Sequence, residues 1–270
     1  MSDFYQTGVI STLHRFPTAK LEKMDGDLKR FQRRQPVTLL LPSLWSEFEG
    51  PAMPRIVEEL KKVRYLHQIV LVLDRADETQ FRKAREHLAG MASPTRIIWN
   101  DGPRVAELYS LLERSNIPAG LRGKGRSVWM GMGYILSDEK SYAIALHDCD
   151  ILTYSRELLA RLCFPVSNTS MSYEFVKGYG MFKSVKAAYL REAQEAIRKY
   201  NDDAAINGLH FDRHAEGTAI ETFAQAIDLA AKIVLEDPLG APLIPNWNRV
   251  TSAIPDFLDQ LRNTVEEDNR

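Results

Sequence analysis

The chain has 270 residues, of which 44% are hydrophobic and 26% are charged, and its formal net charge is −1. These values are ordinary for a soluble globular protein with one large α/β domain, or with one domain and a small helical appendage. The near-neutral charge argues against the broad basic surface that nucleic-acid binding needs. No apolar run approaches the roughly 20 residues that span a bilayer.

The N-terminal segment and the cysteines both suit a reduced cytoplasmic protein. The segment MSDFYQTGVISTLHRF lacks the basic-then-apolar order of a signal peptide. Cys149 and Cys163 do not make a disulfide framework, and Cys149 stands between two acids. We therefore expect a cytoplasmic enzyme with no membrane partner.

Strand and helix patterns alternate through the first part of the chain. Four apolar runs have the length of buried strands and lie at residues 37–41, 68–73, 95–99 and 142–146. Four further stretches predict helices at residues 51–65, 77–91, 104–113 and 124–136. This alternation predicts an α/β fold with a mostly parallel, Rossmann-like sheet flanked by helices.

The character of the sequence changes after about residue 182. Amphipathic stretches predict long helices at residues 183–200, 215–234 and 252–270, with a Pro-rich connector at 238–249. The sequence therefore predicts a core over residues 1–180 and a helical C-terminal region over residues 181–270.

Polar residues follow the predicted strands at the points where the strands end. Pro42, which is expected to stop the first strand, Asp74, Asn100 and Asp148 all occupy such positions. Ligands of open parallel sheets bind beyond the carboxyl ends of the strands. We therefore expect a binding site at this edge.

Asp148 and Asp150 are spaced so that both carboxylates can reach one hard cation directly after a strand. Mg²⁺ and Mn²⁺ take oxygen ligands and are often held by one or two carboxylates and substrate phosphates. The alternative is a turn in which an aspartate caps a helix at residues 154–162.

Three other loops are candidates for nucleotide binding, and each has a simpler alternative. The loop at 42–47 could hold a nucleoside, or could be a turn with Ser46 as a helix cap. The loop at 74–77 could contact uracil or ribose, or could be a capping turn. The stretch at 123–126 (GKGR) is similar to a phosphate cradle but lacks P-loop spacing, and could be an exposed basic turn.

The segments PSLWSEFEG, GKGRSVWMG and ALHDCDI occur in that order. Together they resemble the retaining GT-A glycosyltransferases that make glucosyl-3-phosphoglycerate, the family 81 type. The resemblance implies a GT-A fold and a hexosyltransferase that uses UDP-glucose or GDP-glucose. The implied acceptor is 3-phosphoglycerate or a similar small phosphorylated or carboxylate compound, and the product is a precursor of a glucosylglycerate-type compatible solute. The implied cofactor is Mg²⁺ or Mn²⁺.

The resemblance also implies roles for individual residues. The nucleoside would lie near Pro42, Ser43, Leu44 and Ser46 or Glu47, with Asp74 at the uracil or ribose. Lys124 at the diphosphate or sugar and Asp148 at the ribose or glucose would be the catalytic pair. Asp150 would ligate the metal, joined by Asp148 and by His210 or His214. Lys177 and Arg122 would hold the acceptor.

This sequence departs from the family in the shorter stretch between ALHDCDI and the C-terminal segment. A shortened acceptor region keeps open a nucleotide-sugar-binding protein with lost or changed acceptor activity. The other alternative is a nucleotidyltransferase, which also places a nucleotide and a metal carboxylate at the edge of a parallel sheet. The latter is disfavoured because PSLWSEFEG lacks the expected cations. A homodimeric assembly is also left open.

Overall fold

The computed structural model describes residues 10–13, 21–171, 173, 175–178, 183–186 and 245–270. Within these ranges the strands are β1 (Ile10–Leu13), β2 (Val37–Leu44), β3 (Leu66–Asp74), β4 (Thr95–Trp99), β5 (Ala143–Leu146), β6 (Phe175–Gly178) and β7 (Lys183–Lys186). The helices are α1 (Leu21–Phe31), α2 (Trp45–Phe48), α3 (Ala52–Leu60), α4 (Glu78–His87), α5 (Pro103–Arg114), α6 (Lys124–Asp138), α7 (Arg156–Ser167), α8 (Trp247–Ala253) and α9 (Phe257–Asp268). None of these helices is both long enough and apolar enough to span a membrane.

The described strands form one sheet in the order β1-β6-β7-β5-β2-β3-β4. The pairs β5/β2, β2/β3 and β3/β4 are parallel, as is β1/β6, whereas β7 runs antiparallel to both of its neighbours. This arrangement confirms the predicted α/β fold with a mostly parallel sheet and helices at the C-terminal end of the chain.

The prediction that the first strand stops at Pro42 is wrong, because β2 continues to Leu44. The Leu40 carbonyl accepts from the His147 amide, so that residue faces β5. Pro42, two residues further along, faces the same side, where the ladder with β5 has already ended at Leu40. The missing N–H of proline therefore breaks no ladder hydrogen bond.

The predicted helix at 183–200 is wrong over its first residues, because Lys183–Lys186 form β7 between β5 and β6. Pairing on both sides outweighs a helical sequence pattern, since tertiary contacts routinely override local propensity. The predicted connector at 238–249 also gives way to a helix, since α8 begins at Trp247. Residues 187–244, including the predicted helix at 215–234, lie outside the described residues.

Alternating residues of the central strands supply two hydrophobic cores, one on each face of the sheet. Leu40 of β2 and Val72 of β3 pack with α5, α6, α8 and α9. Leu39 and Leu41 of β2 point the other way and pack with α1, α3, α4 and α7. This period of two is the geometry of a strand covered on both faces.

Helix α6 lies close to its neighbours through two glycines. A Cβ on Gly131 would come within 2.5 Å of the Leu40 side chain, and a Cβ on Gly133 within 2.3 Å of Trp247. The Trp247 ring stacks on Trp129 of α6 with the ring centroids 4.1 Å apart. The Trp129 indole N–H donates to the Pro245 carbonyl at 2.8 Å. These contacts hold the start of the described C-terminal segment against the core.

The last helix is tied to β4 at its C-terminal end. The Asn269 side chain accepts from the Ile97 amide at 2.9 Å and donates to the Ile97 carbonyl at 2.8 Å. Glu266 of α9 binds the Arg96 guanidinium at 2.9 Å and accepts from the Tyr134 hydroxyl at 2.7 Å. The C-terminal segment is thus part of the same packed body as β4 and α6.

Replacing Gly133 by alanine is expected to lower the free energy of unfolding by about 1–3 kcal/mol, because the added methyl group forces Trp247 off Trp129. Urea-induced unfolding measures the change. Gly26→Ala in α1 is the matched control, since a Cβ there meets nothing within 4 Å. The control should gain up to about 1 kcal/mol from helix propensity, and an equal loss in both variants would contradict the packing argument.

Candidate functional site

The predicted donor and metal residues that the structure describes lie at the carboxyl ends of β2, β3 and β5. Ser43 and Leu44 end β2, Asp74 ends β3, and Asp148 and Asp150 follow β5. Helix α6 begins at the same edge with Lys124. The structure therefore brings together residues that are far apart in the sequence and that were predicted to share one edge of the sheet.

The segment after β5 is held in place by buried contacts. The His147 amide donates to the Leu40 carbonyl at 3.1 Å, and His147 Nδ1 lies 3.1 Å from the Tyr154 hydroxyl. Burial lowers the pKa of His147 to about 3, so the ring is neutral at physiological pH. Asp148 and Cys149 are also buried, whereas Asp150 is exposed. Residues 147–149 are thus held in the protein interior, and Asp150 is exposed to solvent.

The alternative in which an aspartate of this segment caps the next helix is wrong. Helix α7 begins at Arg156 and not at Tyr154, and its N-cap residue is Ser155. The Arg156 amide donates to a carboxylate oxygen of Glu59 at 3.0 Å. The carboxylates of Asp148 and Asp150 are therefore not used for helix capping at α7.

Lys124 forms an ion pair with Asp148 across the site. Its ammonium group contacts Asp148 Oδ1, and its side chain is 47% exposed against 9% for Asp148. A cation in the first turn of a helix opposes the helix dipole, which makes this position unfavourable for α6 alone. The ion pair offsets that cost, and the exposed ammonium remains accessible to an anion.

Glu47 lies close to the same pair, and its pKa responds to burial and to the neighbouring charges. Its carboxylate accepts from the Leu44 amide at 3.2 Å. Burial raises the pKa of Glu47, the hydrogen bonds from Ser43 and Leu44 lower it, the Asp150 charge raises it and Lys124 lowers it. Ser46 lies inside α2 and Leu44 is its N-cap residue, so the alternative with Ser46 as the cap is wrong.

The chemistry of this cluster suits a divalent cation. Glu47, Asp148 and Asp150 supply carboxylate oxygens, which are the ligands that Mg²⁺ and Mn²⁺ prefer. Within the described ranges no group of three or more His, Cys, Asp or Glu side chains could hold a metal ion alone. Asp148 and Asp150 would therefore supply part of a coordination shell. His210 and His214, the predicted further ligands, lie outside the described residues.

The Cys149 thiol is unsuited to act as a nucleophile. Burial raises its pKa well above the ordinary value, and the neighbouring charges of Glu47 and Asp148 raise it further. The thiolate is the reactive form of cysteine, so this thiol stays protonated and inert. Cys149 acts as a packing residue beneath the carboxylates.

Asp74 is buried and is the centre of a second polar network. Its Oδ1 accepts from the Arg75 amide at 2.9 Å and from Arg122 Nε and Nη2 at 2.9 and 2.6 Å. Its Oδ2 accepts from the Ser127 hydroxyl at 3.2 Å. Arg122 also contacts Asp101. The guanidinium predicted to hold the acceptor is thus engaged by two carboxylates, and its acceptor role stays a prediction.

The other loop predictions have mixed outcomes. Asp77 caps α4 by accepting from the Gln80 amide at 2.8 Å, which confirms the capping alternative for that residue. An open depression of about 510 Å³ lies beside it, lined by Arg75, Ala76, Asp77, Asp101 and Arg122. Lys177 lies in β6, and the structure describes no position for its side chain.

Three residues that the sequence did not single out also belong to this edge. Asp101 binds Arg122, Ser127 binds Asp74, and Tyr109 donates to Asn100 Oδ1 at 2.7 Å. Asp101 could have been found, because it lies two residues after a predicted strand, at the same edge as Asp74. Ser127 and Tyr109 lie inside helices, and nothing in their local sequence indicates their partners.

A mostly parallel sheet with carboxylates and a lysine at the carboxyl ends of its strands has the arrangement of α/β enzymes that bind nucleotides. No protein-family model matches the sequence. The chain is, however, 35% identical over 400 aligned residues to the glucosyl-3-phosphoglycerate synthase of Persephonella marina, with 100% of this chain and 99% of that protein covered. It is 34% identical over 393 residues to that of Methanococcoides burtonii, with 96% of each covered. The chain belongs to the glucosyl-3-phosphoglycerate synthase family, and it is a glycosyltransferase.

Solved structures with a similar backbone include the glucosyl-3-phosphoglycerate synthase of Mycobacterium tuberculosis in complex with UDP. The TM-score is 0.46 at 11% identity, over 67% of this chain and 65% of that chain. A second structure of that enzyme, with Mn²⁺, UDP and phosphoglyceric acid, gives a TM-score of 0.46 at 11% identity over 67% of this chain and 64% of that chain.

Replacing Glu47 by glutamine is expected to stabilise the folded protein at neutral pH. The pKa of Glu47 is raised by folding, so its charged form carries a cost that is absent at acid pH and develops as the pH rises through that pKa. Melting temperatures between about pH 4 and about pH 8 test this, and the variant should exceed wild type only towards the upper end.

The matched control for this comparison is Glu58→Gln on α3, where a 64% exposed carboxylate is paired with Lys61. Exposed pairs contribute little, so the control should follow wild type across the whole range. A Glu47→Gln variant that is no more stable than wild type at neutral pH would contradict the electrostatic description of the cluster.

Proposed function

We propose that this chain transfers glucose from UDP-glucose or GDP-glucose to 3-phosphoglycerate or a similar small acceptor, with Mg²⁺ or Mn²⁺ and with retention at the anomeric carbon. The product would be a precursor of a glucosylglycerate-type compatible solute. The observation that carries the proposal is the contact of Lys124 with Asp148 at the strand ends, with Asp150 exposed beside it. The names of the two family relatives support the sugar and the acceptor.

The donor would lie across the carboxyl ends of β2 and β5. Pro42, Ser43 and Leu44 end β2, and Glu47 lies in the helix that follows it. Ser43 and Glu47 offer a hydroxyl and a carboxylate to the nucleoside, and Asp148 offers its second oxygen to ribose or glucose. Asp74 was predicted to lie at the uracil or ribose.

The metal would be held by Asp150 and Asp148 on the side of the cluster that faces solvent. When bound, it supplies Lewis-acid stabilisation of the diphosphate leaving group. A carboxylate-rich cluster with one lysine has the excess negative charge that such a cation offsets. His210 or His214 would be a further ligand.

Lys124 would stabilise the leaving diphosphate from the other side. Its backbone is held at the start of α6, so the side chain can reach the anion without rearrangement of the helix. The buried, protonated Cys149 is not a candidate for a covalent intermediate. We therefore favour attack of the acceptor hydroxyl on the face that the diphosphate leaves, with a phosphate oxygen assisting removal of the proton.

The acceptor would be bound between the donor core, residues 1–180, and the C-terminal region, residues 181–270. The alignment with the Persephonella marina relative extends over 400 residues, whereas this chain has 270, so part of the aligned length has no counterpart here. Together with the shorter stretch after ALHDCDI, that difference favours a shortened acceptor side. Lys177 and Arg122 are the proposed contacts for a phosphate or carboxylate.

The test is a transfer assay with UDP-glucose and GDP-glucose against 3-phosphoglycerate and glycerate, in Mg²⁺ and in Mn²⁺. Product NMR distinguishes an α-linked from a β-linked glucoside. An α-glucoside of either acceptor supports the proposal, and a β-glucoside contradicts retention. Donor binding without transfer to any acceptor would favour the nucleotide-sugar-binding alternative. Pyrophosphate release from a nucleoside triphosphate and a sugar phosphate would favour the nucleotidyltransferase.

Replacing Asp150 by alanine is expected to remove the part of donor affinity that depends on the metal. We expect the loss to exceed about tenfold, equivalent to about 1.4 kcal/mol. Calorimetric titration of UDP-glucose and GDP-glucose with and without Mn²⁺ measures it. Glu157→Ala is the control, because that carboxylate pairs with Arg161 on α7. Metal-dependent affinity that survives in Asp150→Ala would refute the assignment of this ligand.

A further inference from the structure

We propose that Asp74 is a positioning residue, which fixes Lys124 for the diphosphate and does not itself contact the nucleotide. The inference rests on the proposed function, because it concerns the donor site. It differs from the role at uracil or ribose that sequence resemblance implied.

The first observation is that both oxygens of the Asp74 carboxylate already have protein donors. It accepts from four donors: the Arg75 amide, two nitrogens of Arg122 and the Ser127 hydroxyl. Three of these donors bind Oδ1 and one binds Oδ2, so the carboxylate is largely engaged by protein groups. The residue is also only 3% exposed, and it is absent from the lining of the neighbouring depression. A base or ribose would have to reach a carboxylate that is buried behind these partners.

The second observation is where those partners lie in the chain. Arg122 is two residues before Lys124, and Ser127 is three residues after it. The single carboxylate of Asp74 therefore holds the chain on both sides of the lysine. Ser127 Oγ is also 3.3 Å from the Gly123 carbonyl oxygen, within the same turn.

We call Asp74 with its partners Arg122 and Ser127 the clamp. Residues after the neighbouring strands β3 and β4 contribute further contacts to it. Asp101, after β4, contacts Arg122 and also accepts from the Ala76 amide at 3.0 Å. Asn100 Nδ2 lies 3.4 Å from Ser127 Oγ. Arg75, directly after Asp74, has a φ of 57°, and its amide donates to that carboxylate. The turn after β3 is thus built around the carboxylate, not around an open face for a ligand.

The contacts of the clamp stabilise the first turn of α6. The first turn of a helix lacks intrahelical partners for its amides, and a lysine there opposes the dipole, so the turn tends to unwind. A flexible lysine side chain can be aimed only from a fixed backbone. Removing Asp74 would let the start of α6 unwind and would let the Lys124 ammonium leave the diphosphate position.

The experiment compares Asp74→Asn, Arg122→Gln and Ser127→Ala with Asp138→Asn. The control aspartate lies at the opposite end of α6, where it pairs with His67 at 2.7 Å. It removes the same kind of contact from the same helix, away from the site. Each protein is titrated with UDP-glucose, GDP-glucose and inorganic pyrophosphate in Mg²⁺. Hydrogen exchange of the amides of residues 121–131 is measured on the free protein.

We expect Asp74→Asn to weaken all three ligands by a similar factor, roughly tenfold to a hundredfold for one charge-assisted contact. Exchange at the start of α6 should be faster in this variant and unchanged in Asp138→Asn. In a Lys124→Met background, Asp74→Asn should cause no further loss, because both changes act through the same ammonium. Arg122→Gln and Ser127→Ala should show the same pattern with smaller losses.

Several outcomes would overturn the inference. A loss for the nucleotide sugars with pyrophosphate unaffected would show direct contact of Asp74 with the nucleoside. The inference is also refuted if the affinity losses of Asp74→Asn and Lys124→Met multiply in the double variant. Unchanged hydrogen exchange at the start of α6 in Asp74→Asn would refute it as well. If Asp74→Asn does not fold, the same comparison is made with Arg122→Gln, whose side chain is 46% exposed. Wild-type protein that binds no nucleotide sugar contradicts the proposed function instead, while the exchange measurement still tests the clamp.

Discussion

The close approach of α6 to the sheet is the constraint on which the rest of the structure depends. Gly131 leaves no space between the helix and the side chains of Leu40 and Val72, and residues from Ser127 to Ser137 are all buried. A helix held this tightly cannot slide or rotate without clashes. Its first residue, Lys124, is therefore delivered to a defined place at the strand ends. Its far half forms the surface on which the C-terminal segment packs.

The parallel core could be predicted from sequence because its strands are buried on both faces and read as continuous apolar runs. Strand β7 could not, since Lys183–Lys186 take their conformation from two flanking strands and not from their own residues. At the site, Asp148 and Lys124 were predicted from strand and helix ends. The partnership of Asp74 with Arg122 joins positions 48 residues apart and leaves no trace in local spacing.

The two polar networks at the carboxyl edge have different energetic characters. Around Asp74, two carboxylates share the Arg122 guanidinium, and amide and hydroxyl donors complete their hydrogen bonds, so the network stabilises the fold. Around Asp148, the carboxylates outnumber the described cation, and burial raises the pKa of Glu47 against ionisation. Functional sites commonly hold such unfavourable charge in readiness for a ligand, at some cost to stability. The rigid network around Asp74 thus supports the cluster at which we propose that the metal and the donor bind.

The contact between Asn269 and Ile97 has a consequence for the solubility of the chain. Strand β4 is the outer of the described strands on its side of the sheet, and the exposed backbone of such a strand can recruit a strand from another molecule. One carboxamide provides both an acceptor and a donor to that backbone, as the next strand would. Asn269 therefore occupies the hydrogen-bonding groups of Ile97 with which a strand of another copy would pair. Proteins that lose it would be prone to aggregate through this edge even with an intact site.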